Sequence, residues 1–153
     1  MIGTGLLVAC GSLLAGPMPT PDPREEPTAT VLVANDAELR TAVAGAKPGT
    51  TIRIAPGTYR GGFLAQGLRG EPGRPIRFVG ADSSHPPRFE GGETGLHLTD
   101  PAHVELQDLI VERASGNGIN IDDGGSADTP AHHVVLRGLI VRDIGPTGNR
   151  DGI

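Results

Sequence analysis

Tryptophan is absent, and three phenylalanines and one tyrosine are the only aromatic residues among 153. A core built on large rings is therefore disfavoured, and stacked isoleucine, leucine and valine suit the composition better. Cysteine occurs once, as Cys10, so neither an intrachain disulfide nor a C-x-x-C metal or redox motif is available. No run of basic residues or basic-aromatic interleaving exists to track phosphates, and the formal charge is -5 from 13 basic and 18 acidic residues. Nucleic acid is thus not an expected partner. Nucleophile-elbow, P-loop, dinucleotide and zinc motifs are likewise missing, and the sequence implies no protein partner.

Turn-formers are abundant instead: 24 glycines and 14 prolines, without a Gly-X-Y period and with apolar segments recurring between them. Many short strands are the expected result. The apolar stretch Ile2 to Gly16 is too short to span a bilayer and suits the h-region of an export signal. Within it, Leu7-Val8-Ala9-Cys10 resembles a bacterial lipobox, in which cleavage before Cys10 leaves the thiol to carry diacylglycerol. A basic n-region is missing, since the first basic residue is Arg24, and ordinary export is the alternative. Five prolines between Gly16 and Thr30, interspersed with charges, read as an extended tether. The expected organisation is a signal segment over 1–16, a linker over 17–30 and a folded region over 31–153.

Order is expected to begin with a strand at Val31-Leu32-Val33, followed by one helix. Asn35 is placed to cap it with Glu38 completing a capping box, and Leu39, Ala42, Val43 and Ala46 fall on one face. Lys47-Pro48-Gly49 is read as its end, with the lone lysine, Lys47, complementing the helix dipole. A single amphipathic helix followed only by strands suggests a cap over the first turn of a solenoid.

Beyond Gly49 the apolar period is two. Thr51-Ile52-Arg53-Ile54 alternates before the turn Pro56-Gly57-Thr58-Tyr59, and Pro75-Ile76-Arg77-Phe78-Val79 repeats the strand 24 residues on if Ile52 is matched to Ile76. The segments beginning at His103 and His133 share His, Val, Leu, Leu, Ile and Val at a spacing of 30. A further strand type recurs as Gly95-Leu96-His97-Leu98, Gly118-Ile119-Asn120-Ile121 and Asp151-Gly152-Ile153, with Asp123 to Ala131 read as a loop inserted between equivalent coils. One repeat cannot bury its own apolar face and must stack on the next. The expected ladders are Ile52 on Ile76, Leu96 on Ile119 on Ile153, and Leu106 on Leu136, with Arg53 over Arg77 facing solvent. The fold class is all-β, a right-handed parallel β-helix with an N-terminal capping helix.

The segments Ala46 to Tyr59 and Gly73 to Phe78 resemble the opening coils of pectate-lyase-like parallel β-helix proteins. Polysaccharide lyases acting on pectate, alginate or chondroitin are similar in their capping helix, Pro-Gly-Thr-Tyr turn and Gly-Ile-x-Ile strands. The resemblance covers Val31 to Ile153 and implies β-elimination on a uronate-containing, acidic polysaccharide. In such lyases a Lys or Arg takes the C5 proton, and calcium or basic groups neutralise the carboxylate. It also implies catalytic residues on central coils, so the active site is expected beyond Ile153 and no catalytic residue is assigned. A noncatalytic carbohydrate-binding β-helix and a glycoside hydrolase on the same solenoid are the alternatives. The hydrolase needs carboxylates about 5 to 10 Å apart on neighbouring coils, a demand that adjacent Asp122 and Asp123 do not meet.

The candidate calcium ligands are Asn117, Asp122, Asp123 and Asp151, oxygen donors at the two ends of the Gly-Ile-x-Ile strands. Asx turns and ladders at solenoid corners are the competing explanation. His97 is expected to face outward near Asn120. His103 and His133 form a stacked pair from the repeat, with His132 a loop residue beside them. Arg137, Arg142 and Arg150 are available to a sugar-binding surface if they face the groove.

Overall fold

The computed structural model describes residues 29–125, 128–145 and 153. Cys10, Arg150 and Asp151 lie outside the described residues, as does Gly152 of the last expected Gly-Ile rung. The chain opens with β1 (Thr30–Val33) and α1 (Asp36–Ala44). Three coils follow: β2 (Thr51–Ile54), β3 (Thr58–Arg60) and β4 (Phe63–Gln66); β5 (Ile76–Gly80), β6 (Arg88–Glu90) and β7 (Leu96–Thr99); β8 (Ala102–Gln107), β9 (Ile110–Glu112) and β10 (Ile119–Asp122). A fourth begins with β11 (His132–Arg137) and β12 (Ile140–Arg142).

Each coil gives one strand to each of three sheets. The first sheet has the order β1-β2-β5-β8-β11, the second β12-β9-β6-β3 and the third β10-β7-β4. All ladders between these strands are parallel. Because side chains alternate along a strand, alternate residues of all three sheets meet inside the coil. Ile52, Ile54, Ile76, Val104, Leu109 and Val111 are almost completely excluded from solvent there.

The helix begins where the sequence places it. The Asn35 side chain accepts from the Glu38 backbone N–H at 2.9 Å, while the Glu38 carboxylate accepts from the Ala34 N–H at 2.8 Å and from the Asn35 amide at 2.8 Å. Leu39 is buried, and Ala42, Val43 and Ala46 pack on the core cluster. Asp36 also accepts the Arg60 backbone N–H at 3.0 Å, so the helix start satisfies part of the free edge of β3. That is the work of a cap: it covers apolar interior and occupies an unpaired strand edge. The helix ends earlier than expected, however, with Gly45 as C-cap and no basic residue in its last turn. Lys47 lies beyond the dipole's reach, and its backbone closes a turn with Thr50 instead.

Two further expectations are corrected. Ile52 pairs with Phe78 rather than Ile76, and Arg53 with Val79 rather than Arg77, so the spacing between β2 and β5 exceeds the expected one by two residues. A slip of two preserves which face each side chain occupies, which is why the interior was still assigned properly. The observed register also keeps two guanidinium groups from stacking. Arg77 sits between Thr51 and Glu105, and its Nε donates to Glu105 Oε2 at 2.8 Å.

Second, Thr58 and Tyr59 belong to β3 rather than to a turn. The Tyr59 ring enters the interior, stacks on Phe89 at 5.5 Å and donates its hydroxyl to the Ala55 carbonyl at 3.0 Å. Few as they are, the aromatics gather inside the early coils, where Phe63 and Phe78 join Phe89 in the core cluster. The 30-residue repeat and the 23-residue Gly-Ile repeat take their expected registers, with Leu106 on Leu136 and Leu96 on Ile119. Gly95 shows why the latter begins with glycine, since a Cβ there would lie 2.3 Å from Val111 Cγ1 and 2.7 Å from the Gly118 carbonyl.

Candidate functional site

The outer faces of the three sheets differ in what they offer a ligand. On the second sheet the outward row at the strand ends reads Arg60, Glu90, Glu112 and Arg142. Three of these four charges are consumed internally: Glu90 is paired with Arg113, and buried Glu112 receives Arg142 through Nη2 at 2.6 Å and Nε at 2.7 Å. The pairing offsets the repulsion between two stacked carboxylates. Arg142 is thereby tied to Glu112, and Arg137 lies on the first sheet beside Gln107.

The third sheet is different. Apolar Leu96, Leu98 and Ile119 point inward, so parity sends His97, Thr99, Asn120 and Asp122 outward from adjacent strands. His97 Nε2 stands 2.5 Å from Asp122 Oδ2, 3.0 Å from the Asn120 amide nitrogen and 3.3 Å from Thr99 Oγ1. Asn120 donates to the same Asp122 oxygen at 2.8 Å. The hydrogen bond from His97, followed by the Gly124 backbone N–H, holds the Asp122 carboxyl below the usual carboxylate range. These contacts all fall on Nε2, so they fix the orientation of the His97 ring and leave Nδ1 outside the cluster. Leu64, largely exposed, occupies the same row as His97 and Asn120 on the preceding coil. Next to this face, Arg69 approaches Asp100 at 3.9 Å, and the inserted loop reaches back through Thr129, which donates to Asp100 at 3.0 Å.

Among the described calcium candidates, Asn117 does not converge with Asp122 and Asp123. Asn117 precedes β10 and uses its carbonyl to accept from Gly95 N–H, whereas Asp122 and Asp123 lie at the opposite end of that strand. Four strand residues separate the two ends, a rise of roughly 13 Å or more, beyond what one ion spans. Asp122 and Asp123 each accept a backbone N–H two residues on, from Gly124 and Gly125, both at 2.9 Å. These are Asx turns that shape the start of the inserted loop.

His97 is outward and beside Asn120 as the sequence indicates, but its partner Asp122 was not identified from the sequence as such. The signal was present in the strand alignment. Once Gly95 is matched to Gly118, Asp122 falls two residues past Asn120 on the same face as His97. Away from this site, on the first sheet, His103 and His133 stack with ring centroids 4.4 Å apart. His132, expected to be a loop residue, instead opens β11 and turns its ring edge-on to both. Desolvation, then the neighbouring His133 and His132, push the His103 pKa down.

No family model matches the chain, and no curated protein does. Among solved structures it is similar to the alginate lyase from Paenibacillus sp. str. FPU-7, with 31% identity over 78% of this chain and 38% of that one, at a TM-score of 0.67. The PL6 family alginate lyase AlyGC and a point mutant of it match at 24% identity and a TM-score of 0.58, over 72% of this chain and 15% of theirs. The chain thus spans well under half the length of the lyases it resembles. Three parallel sheets that each take one strand per coil, a helical cap and these structural likenesses establish the chain as a right-handed parallel β-helix of the pectate-lyase-like kind.

Proposed function

We propose that the chain forms the cap and first coils of a polysaccharide lyase that acts by β-elimination on a uronate polymer, alginate being the foremost candidate. The observation that carries this reading is the 31% identity with an alginate lyase over 78% of the chain. The outward face of the third sheet supports it, because partly exposed His97 and Asn120, with Arg69 beside them, present polar groups and one cation to a chain of hydroxyls and carboxylates. In the elimination, the C5 proton leaves as the C4–O bond breaks, and the developing enolate charge must be held in place. We assign the described residues to binding the polymer beside that centre rather than to proton abstraction. With a formal charge of -5 the protein offers an acidic polymer no long-range attraction, so a bridging divalent cation such as calcium belongs to the same proposal.

The test is ultraviolet absorbance of the unsaturated product on alginate, pectate and chondroitin, using the protein expressed from its full reading frame. Product from alginate in preference to the others is the expected result. Binding of alginate without product on any polymer would transfer the conclusion to a noncatalytic carbohydrate-binding solenoid. Export with Cys10 as the lipid-bearing residue is also proposed, on the lipobox-like Leu7 to Cys10. Metabolic labelling with palmitate should mark the native protein and fail on Cys10→Ser.

A further inference from the structure

We propose that His103, His132 and His133 form a binding site for a divalent first-row transition metal, with zinc as the reference ion, that clamps the coil of β11 onto the coil of β8. One ligand nitrogen from each of the three lies within 4.8 Å of the others, and they come from two adjacent coils. Imidazole nitrogens suit zinc, copper or nickel, whereas calcium and magnesium demand oxygen. His132 Nδ1 and His133 Nδ1 are 2.9 Å apart. On one tetrahedral ion with bonds of about 2.0–2.1 Å they would stand about 3.3 Å apart, a change that small ring rotations supply. Three protein nitrogens leave a fourth position to water, and the shallow groove lined by Pro75, Arg77, His103, Glu105 and His133 is open enough to admit it.

The backbone strengthens the argument. His103 and His133 both adopt left-handed conformations, with φ of 49° and 53°. Such corners recur elsewhere in the solenoid, at Asp108 above Gly138 and at Arg113 above Asp143, so the conformation itself belongs to the coil. Glycine, asparagine or aspartate would satisfy it as well as histidine or better. Histidine at both rungs, with a third beside them, therefore calls for a reason outside backbone preference, and metal ligation is one that uses all three.

The experiment uses tag-free, chelator-treated protein, titrated calorimetrically with zinc and followed by thermal melting, with cobalt(II) as a spectroscopic probe. Asparagine keeps the left-handed corner, so His103→Asn and His133→Asn serve as ligand knock-outs that preserve the fold, beside His132→Ala. We expect one zinc per chain, a tetrahedral cobalt absorption band, a melting rise of about 5 to 10 °C at saturating zinc, and no response to calcium or magnesium. Each variant should lose at least tenfold in zinc affinity while melting like the metal-free parent. Zinc binding of equal affinity in the His103→Asn/His133→Asn double variant, or none in the parent, would overturn the site. Neither outcome bears on lyase activity, which concerns another face of the solenoid.

Discussion

The coils of β8–β9 and β11–β12 carry the same inward residues and have different structural weight. Val104, Leu106, Leu109 and Val111 are buried to within a few per cent, while their equivalents Val134, Leu136, Leu139 and Val141 are only partly buried. Outward Ile140 is 47% exposed, whereas Ile110 is only half-buried. The sequence difference is slight and cannot account for this. The strands of the first coil have paired neighbours on both sides, and those of the second have a described neighbour on one side only. In a solenoid the worth of an aliphatic side chain is thus set by how many coils cover it. At the other end, where only one further strand of the first sheet lies above β2, α1 takes over part of the covering by burying Leu39 and occupying the β3 edge through Asp36.

The sharpest way to break this comparison is paired truncation. Leu106→Ala should cost about 3 kcal/mol of stability, as deletion of a fully enclosed side chain does, and Leu136→Ala about half of that when both are measured on residues 1–153 alone. Denaturant melts of the two variants measure the difference, and equal losses would mean that position along the solenoid does not matter. A smaller effect is expected from the cap, where Asn35→Ala removes the acceptor for Glu38 N–H and should cost about 1 kcal/mol. Tyr59→Phe, losing a buried hydroxyl donor to Ala55, should also cost about 1 kcal/mol in the same melts. Both variants should loosen hydrogen-exchange protection in β1 and β2 while leaving β8 unchanged if the cap protects locally.

The third sheet gives a functional prediction. His97→Ala should raise the KM for alginate several-fold with kcat little changed if the face binds polymer, and an equal loss in both would place His97 at the reacting bond. The smallest expected effect is the pH dependence of the same cluster. Asp122 has a folded pKa below its unfolded value, so its contribution is present above the unfolded carboxylate pKa of about 3.9 and is lost as pH falls through the lower folded value. Asp122→Asn should flatten that part of the acid melting profile, and because the group is 38% exposed the change should be modest.

Much of this was legible beforehand because parallel stacking repeats a period. Alternation fixed the inward set, the shared residues of the His103 and His133 segments fixed one register, and paired glycines fixed another. The β2 to β5 register was not legible, since Ile52 matches Ile76 and Phe78 equally well by face. Only the pairing itself distinguishes them, with Arg53 set beside Val79 rather than beside Arg77. The helix start was visible in Asn35 and Glu38, but its end was displaced to Gly45. At the calcium candidates, residue type alone said oxygen ligand, while the fold commits Asp122 and Asp123 to neighbouring backbone N–H groups.

By itself, then, the amino-acid sequence determined that this chain coils, which residues face inward and where the cap begins, because these follow from local periodicity and capping chemistry. Tertiary structure decided which side chains bond or stack once those registers are set: Asp122 with His97, Glu112 with Arg142, and His132 with His103. Partners separated by a whole coil are brought together by the number of residues spent in the intervening corners and loops, a quantity that no local pattern encodes.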